Sequence, residues 1–350
     1  MKGIAGPTVG MVMAECAQVG LMIVSKSVMS KGMGSLIFVL YSNTLAALLL
    51  LPVAFLYHRR TQLPSLSFSL VSQFFLLGLL GCLAQVFGYA GINYSSPTLG
   101  TAMLNLIPGI TFILAVIFRM ERLDCRRAST LAKSIGTIVS ICGALIVTLY
   151  KGAALMTKSS SLSLHSYLLL PVQSNWVIGG LLLVADCVMA SAWLILQAVV
   201  LKKYPAELII VFFYCFFVAI QSAIICLYVE GGESSAWSLK NRMRLISVLY
   251  SAIFGSAFQV GVSTWCLHRT GPVFVSMFKP LGIVIAVVGG TVFLGDTFYL
   301  GSLIGSCIIV IGFYSVMWGK TKEEKVDPKV GVVQPNSQKV PLLETIIEEI

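Results

Sequence analysis

Two carboxylates stand in apolar surroundings, Glu15 within AECAQVGLMIVSK and Asp186 within ADCVMASAWLILQ, 171 residues apart. A carboxylate near a bilayer midplane costs about 2.5–3.5 kcal/mol on insertion scales, so acids kept at that depth mark proton relays, ion pairs or solute contacts. Glu15 reads either as a proton carrier, loading and unloading as water access alternates, or as a hydrogen-bonded tie between helices. Asp186 has the same two readings. Lys279 is the one base deep in a helix of the second half, and it directly precedes Pro280. An ammonium there needs a counter-charge, and Glu15 and Asp186 are the acids at hand. The pair is either structural, or it opens when a substrate carboxylate reaches the lysine.

Neutral polar residues extend this set. Gln18 follows Glu15 by one helical turn, and Gln85 and Gln259 occupy matching places 174 residues apart. An amide both donates and accepts, which suits a solute end or a bond between helices. Tyr89 lies one turn from Gln85, and Trp193 one turn from Gln197, so either ring walls a cavity or packs in the core. Pro108 and Pro280 interrupt corresponding helices. Proline removes a backbone donor and frees a carbonyl one turn back, exposing polar backbone at depth or simply kinking the helix. Asn105 stands one turn before Pro108 and faces the same space if that helix persists.

The elements that must position these residues are legible in the hydropathy. Hydrophobic residues make up 57% of the 350 and charged ones 11%, against about 25% charged in a soluble domain. The apolar residues fall in ten blocks, near 8–28, 35–57, 70–91, 98–119, 130–150, 175–200, 207–229, 244–267, 272–294 and 299–318. Each is long enough to cross a hydrocarbon core of ~30 Å as a helix. The fold class is therefore an all-α polytopic membrane protein. The first block carries Glu15 and exceeds a signal peptide's apolar region, so it reads as a retained helix.

Nine cysteines are present, all inside apolar blocks except Cys125, and they read as small buried hydrophobes rather than a disulfide framework. His58, His165 and His268 are scattered, without metal or catalytic spacing. No Walker loop, no cofactor motif and no metal site is expected, and no pairing at one depth suggests an enzyme. The net charge of +10 is a matter of topology rather than nucleic-acid binding. With both termini in the cytoplasm, about two thirds of the 24 lysines and arginines fall on that side.

The two halves match beyond the acids. Pro97 and Pro272 correspond at 175 residues, as do Glu121 and Asp296, which look like gate or loop-anchoring acids. Five helices per repeat is odd, so the second copy enters the membrane inverted, as in secondary transporters with a site at the repeat interface. The expected organisation is a first repeat over 1–150, a Ser-rich linker over 151–174, a second repeat over 175–319 and a disordered cytoplasmic tail over 320–350. Gly301, Gly305 and Gly312 predict close packing of the tenth helix.

Four strings carry a family resemblance: KGMGSLIFVLYSNTLAALLLLP (31–52), NLIPGITFILAVIFRMERL (105–123), GPVFVSMFKPLGIVIAVV (271–288) and FLGDTFYLGSLIGSCIIVIGFYSVMWGK (293–320). The chain resembles the plant branch of the EamA-type drug/metabolite transporters, the nodulin-like, walls-are-thin-related (UMAMIT) proteins. The resemblance implies ten helices in two inverted repeats and transport of amino acids, auxin or related organic acids, with or without proton coupling. Partners would be a small-molecule substrate, protons and the lipid bilayer, in the plasma membrane or the tonoplast. Exchange of another metabolite class, such as a nucleotide sugar, and a non-transporting receptor or scaffold are the alternatives.

Overall fold

A computed structural model describes residues 2–29, 33–58, 67–94, 103–118, 120, 128–150, 154–156, 174–229, 237, 239, 241–289 and 298–326. Pro97, Glu121, Cys125, His165 and Asp296, most of the 151–174 linker and the tail beyond 326 lie outside them.

Ten helical spans follow one another. The first repeat holds α1 (Lys2–Met29), α2 (Ser35–His58), α3 (Phe68–Tyr94), α4 (Ile107–Ile117, with a short helical turn ahead of it) and α5 (Ala128–Leu149). The second holds α6 (Ser174–Lys203), α7 (Glu207–Val229), α8 (Arg242–Thr270), α9 (Pro272–Ser276 and Phe278–Gly289) and α10 (Leu300–Val326). Five of these, within α2, α3, α6, α7 and α8, carry apolar windows long enough to cross a bilayer, and shorter apolar stretches lie in α4, α9 and α10. Helices suit this solvent because they satisfy their backbone polar groups internally. Two short strands, β1 (Ala154–Met156) and β2 (Phe298–Tyr299), pair antiparallel and tie the segment after α5 to the start of α10. Nothing in the hydropathy announced them.

Packing runs across the repeats. α5 lies along α10, α2 along α7, α3 along α6 and α7, and α1 against α8 and α9. The α5–α10 contact depends on glycine. A Cβ on Gly136 would stand 2.6 Å from the Gly312 carbonyl oxygen, and one on Gly143 would stand 2.8 Å from the Ile309 nitrogen. Only hydrogen side chains let the backbones approach so closely. At the α3–α7 seam, Phe74 stacks on Phe213 with centroids 4.8 Å apart inside the main hydrophobic core.

Three irregularities matter for the site. The first lies ahead of α4, where Asn105 and Leu106 form a turn and Ile107 restarts the helix with Pro108 in its first turn. Asn105 thus sits in a break rather than on a continuous helix, and it is buried. The second is its counterpart in α9, at Met277, just before Lys279 and Pro280. In both helices the break precedes the proline, because a ring fixed near φ −65° without an N–H fits a first turn and not an interior. The third is a π-helical stretch, Ser251–Gln259, inside α8. Its wider turn rotates the face on which Gln259 emerges, whereas Gln85 lies on unbroken α-helix.

The cysteines divide. Cys82, Cys187, Cys215, Cys226 and Cys266 are buried as expected, but Cys16, Cys142 and Cys307 are exposed. Lys133 is 2% exposed, inside the first turns of α5.

Candidate functional site

The charged cluster is assembled from α1, α6 and α9. Lys279 Nζ lies 3.0 Å from Glu15 Oε1, with side-chain exposures of 24% and 3%. The α9 break brings this about. Restarting the helix at Phe278 places Lys279 in its first turn, aimed at the middle of α1. The lysine thus pairs across the repeats with Glu15, and not by contact with Asp186 in its own half. The field of Lys279 still reaches Asp186. Among the described residues no cation stands within ion-pair distance of Asp186, and it is buried.

Each acid faces a glycine on the helix it packs against. A Cβ on Gly282 of α9 would stand 2.9 Å from Glu15 Oε2, and one on Gly88 of α3 would stand 2.9 Å from Asp186 Oδ2. Tyr89, next along α3, and Cys187, next along α6, both lie within the electrostatic reach of Asp186. Neither glycine was singled out by the sequence, because helical glycines in apolar stretches all look alike until the partner helix is known.

α6 is the spine of the site. Asp186, Trp193 and Gln197 share one of its faces, since offsets of seven and eleven residues return close to the same direction. The neighbouring face carries Cys187, whose Sγ donates to the Met103 carbonyl at 3.1 Å. Ser191 Oγ, 3.3 Å from the Ile107 carbonyl, shares its proton with the Cys187 carbonyl. These bonds fasten α6 to the backbone on either side of the α4 break.

The amides separate into different roles. Gln85 Nε2 donates to the Tyr214 hydroxyl of α7 at 3.2 Å. Tyr214 in turn leans against Trp193, centroids 5.4 Å apart. Gln197 Nε2 donates to Thr264 Oγ1 of α8 at 2.7 Å. Gln259, the repeat partner of Gln85, is half-buried and has no side-chain partner among the described residues. The π-helical turn explains the mismatch, since equal sequence positions no longer present equal faces. Gln18 is half-buried on α1. Tyr214 and Thr264 were missed in the sequence. Tyr214 is hidden within VFFYCFF, and Thr264 is one of many hydroxyls.

Among the described residues no group of His, Cys, Asp and Glu is placed to hold a metal ion. What the cluster offers is an ion pair that can exchange partners, a second acid without a contacting cation, and amides and rings around them.

The EamA-like transporter family matches the chain twice, over residues 8–149 and 177–318. The chain belongs to the EamA-like transporter family. Within plants it is similar to WAT1-related proteins of Arabidopsis thaliana. One is 45% identical over 97% of this chain and 95% of the relative, and another is 44% identical over 98% and 93%. A solved crystal structure, 14% identical, superposes with a TM-score of 0.66 over 91% of this chain and 98% of its own. At that identity the likeness shows the fold alone. This EamA-like protein is thus a multi-pass membrane transporter of small solutes, not an enzyme.

Proposed function

We propose that this EamA-like transporter moves small carboxylate-bearing organic solutes, amino acids or auxin-like acids, by rocking one repeat against the other, with protons carried on Asp186. The observation that carries this reading is the ion pair of Glu15 and Lys279, 3.0 Å apart and joining the two repeats. A substrate carboxylate that takes Lys279 releases Glu15, and the tie between α1 and α9 opens only when cargo is present. Glu15 and Asp186 then face the substrate's ammonium group if it has one. Coupling binding to a change between two states needs such a differential contact.

Asp186 is assigned the proton because Glu15 already has a cation in contact and Asp186 has none among the described residues. A buried carboxylate without a partner is costly, and a proton is the remaining counter-charge. Among the described residues, the titratable groups within its field are Tyr89 on α3, Cys187 on α6 and Lys279 on α9. The distribution of lysines and arginines supports both termini lying in the cytoplasm, and the family resemblance supports the plasma membrane. Radiolabelled uptake and efflux in oocytes, with a panel of amino acids and indole-3-acetate across pH, tests the reading. Full transport of carboxylate-bearing solutes by Lys279→Gln would overturn it.

A further inference from the structure

Two buried polar atoms on α6 are left open by the fold. Trp193 Nε1 is a donor and Gln197 Oε1 an acceptor, both shut from solvent and neither hydrogen-bonded. Residues four apart lie on one helix face, about 6 Å along the axis. Both side chains are held by neighbours. Trp193 rests on Tyr214, which Gln85 holds, and Gln197 is anchored to Thr264. The Gln197 amide cannot be turned over to hide its oxygen. The single proton of Thr264 goes to the Val260 carbonyl at 2.7 Å, so Thr264 can only accept and Gln197 must present its NH2 there. Its carbonyl oxygen therefore remains open. One turn before Thr264 on α8, nothing stands within 4 Å of where Gly261 would carry a Cβ.

A buried donor or acceptor left unpaired costs about 1–3 kcal/mol. Two of opposite kind within one turn, on the face that carries Asp186, form a site that a matching ligand relieves. We propose that Trp193 Nε1 and Gln197 Oε1 determine specificity, receiving an uncharged solute end that both donates and accepts a hydrogen bond, a primary amide, while the ionised end sits at Lys279 and Asp186. This rests on the transport reading above. An amide C=O accepts from Trp193 and its NH2 donates to Gln197. A carboxylate there would set an acceptor against the Gln197 oxygen. An indole N–H satisfies Gln197 alone, and an aliphatic end satisfies neither atom. About 10 Å separates Asp186 from Trp193 along α6, enough for a short solute with hydrogen bonds at both ends.

The test is counterflow of radiolabelled L-glutamine, L-norleucine and indole-3-acetate into proteoliposomes holding the full chain, wild type, Gln197→Leu and Trp193→Phe. The expected result is glutamine favoured over norleucine by about 10-fold in wild type. In both variants that ratio collapses toward equality while norleucine flux persists. Trp193→Phe keeps the ring against Tyr214, so it reports on the lost N–H even where Gln197→Leu folds poorly. An unchanged ratio in Trp193→Phe overturns the proposal. So does wild-type flux of norleucine or indole-3-acetate without a preference for glutamine, though the transport reading then stands. No wild-type flux of any of the three overturns both.

Discussion

Glu15 in the first repeat and Lys279 in the second close a 3.0 Å ion pair, and this joins α1 to α9 by charge. Removing one partner strands the other. Lys279→Ala is expected to destabilise the protein by about 3–5 kcal/mol, because it leaves a buried carboxylate uncompensated. Adding Glu15→Gln to Lys279→Ala should recover most of that loss. Thermal unfolding of the single and double variants in detergent measures it, and an additive double variant would mean that the two groups do not interact.

Asp186→Asn keeps the size of the side chain and removes its ability to exchange a proton. Solute uptake by this variant should lose its dependence on external pH while exchange of solute for solute continues. Uptake that still rises on mild acidification would place the proton elsewhere.

The glycines opposite the acids are expected to be intolerant. Gly88→Ala and Gly282→Ala each place a methyl 2.9 Å from a carboxylate oxygen, so the acid must move. Transport should fall more than stability does, as read by initial uptake rate against unfolding temperature. Gly180→Ala on α6, with nothing within 4 Å, is the matched control. It should be neutral or gain up to about 1 kcal/mol from helix propensity.

At the α5–α10 seam the obstacle is backbone. Alanine at Gly136 meets the Gly312 carbonyl at 2.6 Å, and the helices can only part. The expected cost is about 1–3 kcal/mol, seen as a lower unfolding temperature and lower yield without a change in solute preference.

His268 and Glu207 meet at 2.6 Å where α8 ends and α7 begins, each about a quarter exposed. Glu207→Gln should cost less than about 1 kcal/mol, as partly exposed pairs do, and leave transport unchanged. A large loss of transport would show that this contact belongs to the gating machinery.

By itself the sequence determined the number of spans, the duplication and its inversion, because the bilayer requires apolar blocks of fixed length and an odd repeat must reverse. It also marked Glu15, Asp186 and Lys279, since charge at depth is costly enough to stand out in any apolar stretch. Which acid takes the lysine was a matter for the tertiary structure. The break at Met277 sets where Lys279 points, and no one-dimensional pattern records that direction. The matched glutamines diverge for the same kind of reason. A π-helical stretch turns Gln259 away from the role of Gln85, while Gln85 finds Tyr214, 129 residues distant in the chain. Gly88 and Gly282 acquire meaning only when a carboxylate from another helix arrives 2.9 Å away. Spacing along one helix fixes a face, but contact between helices depends on their breaks, rotations and crossing, and those are settled only when the two repeats pack together.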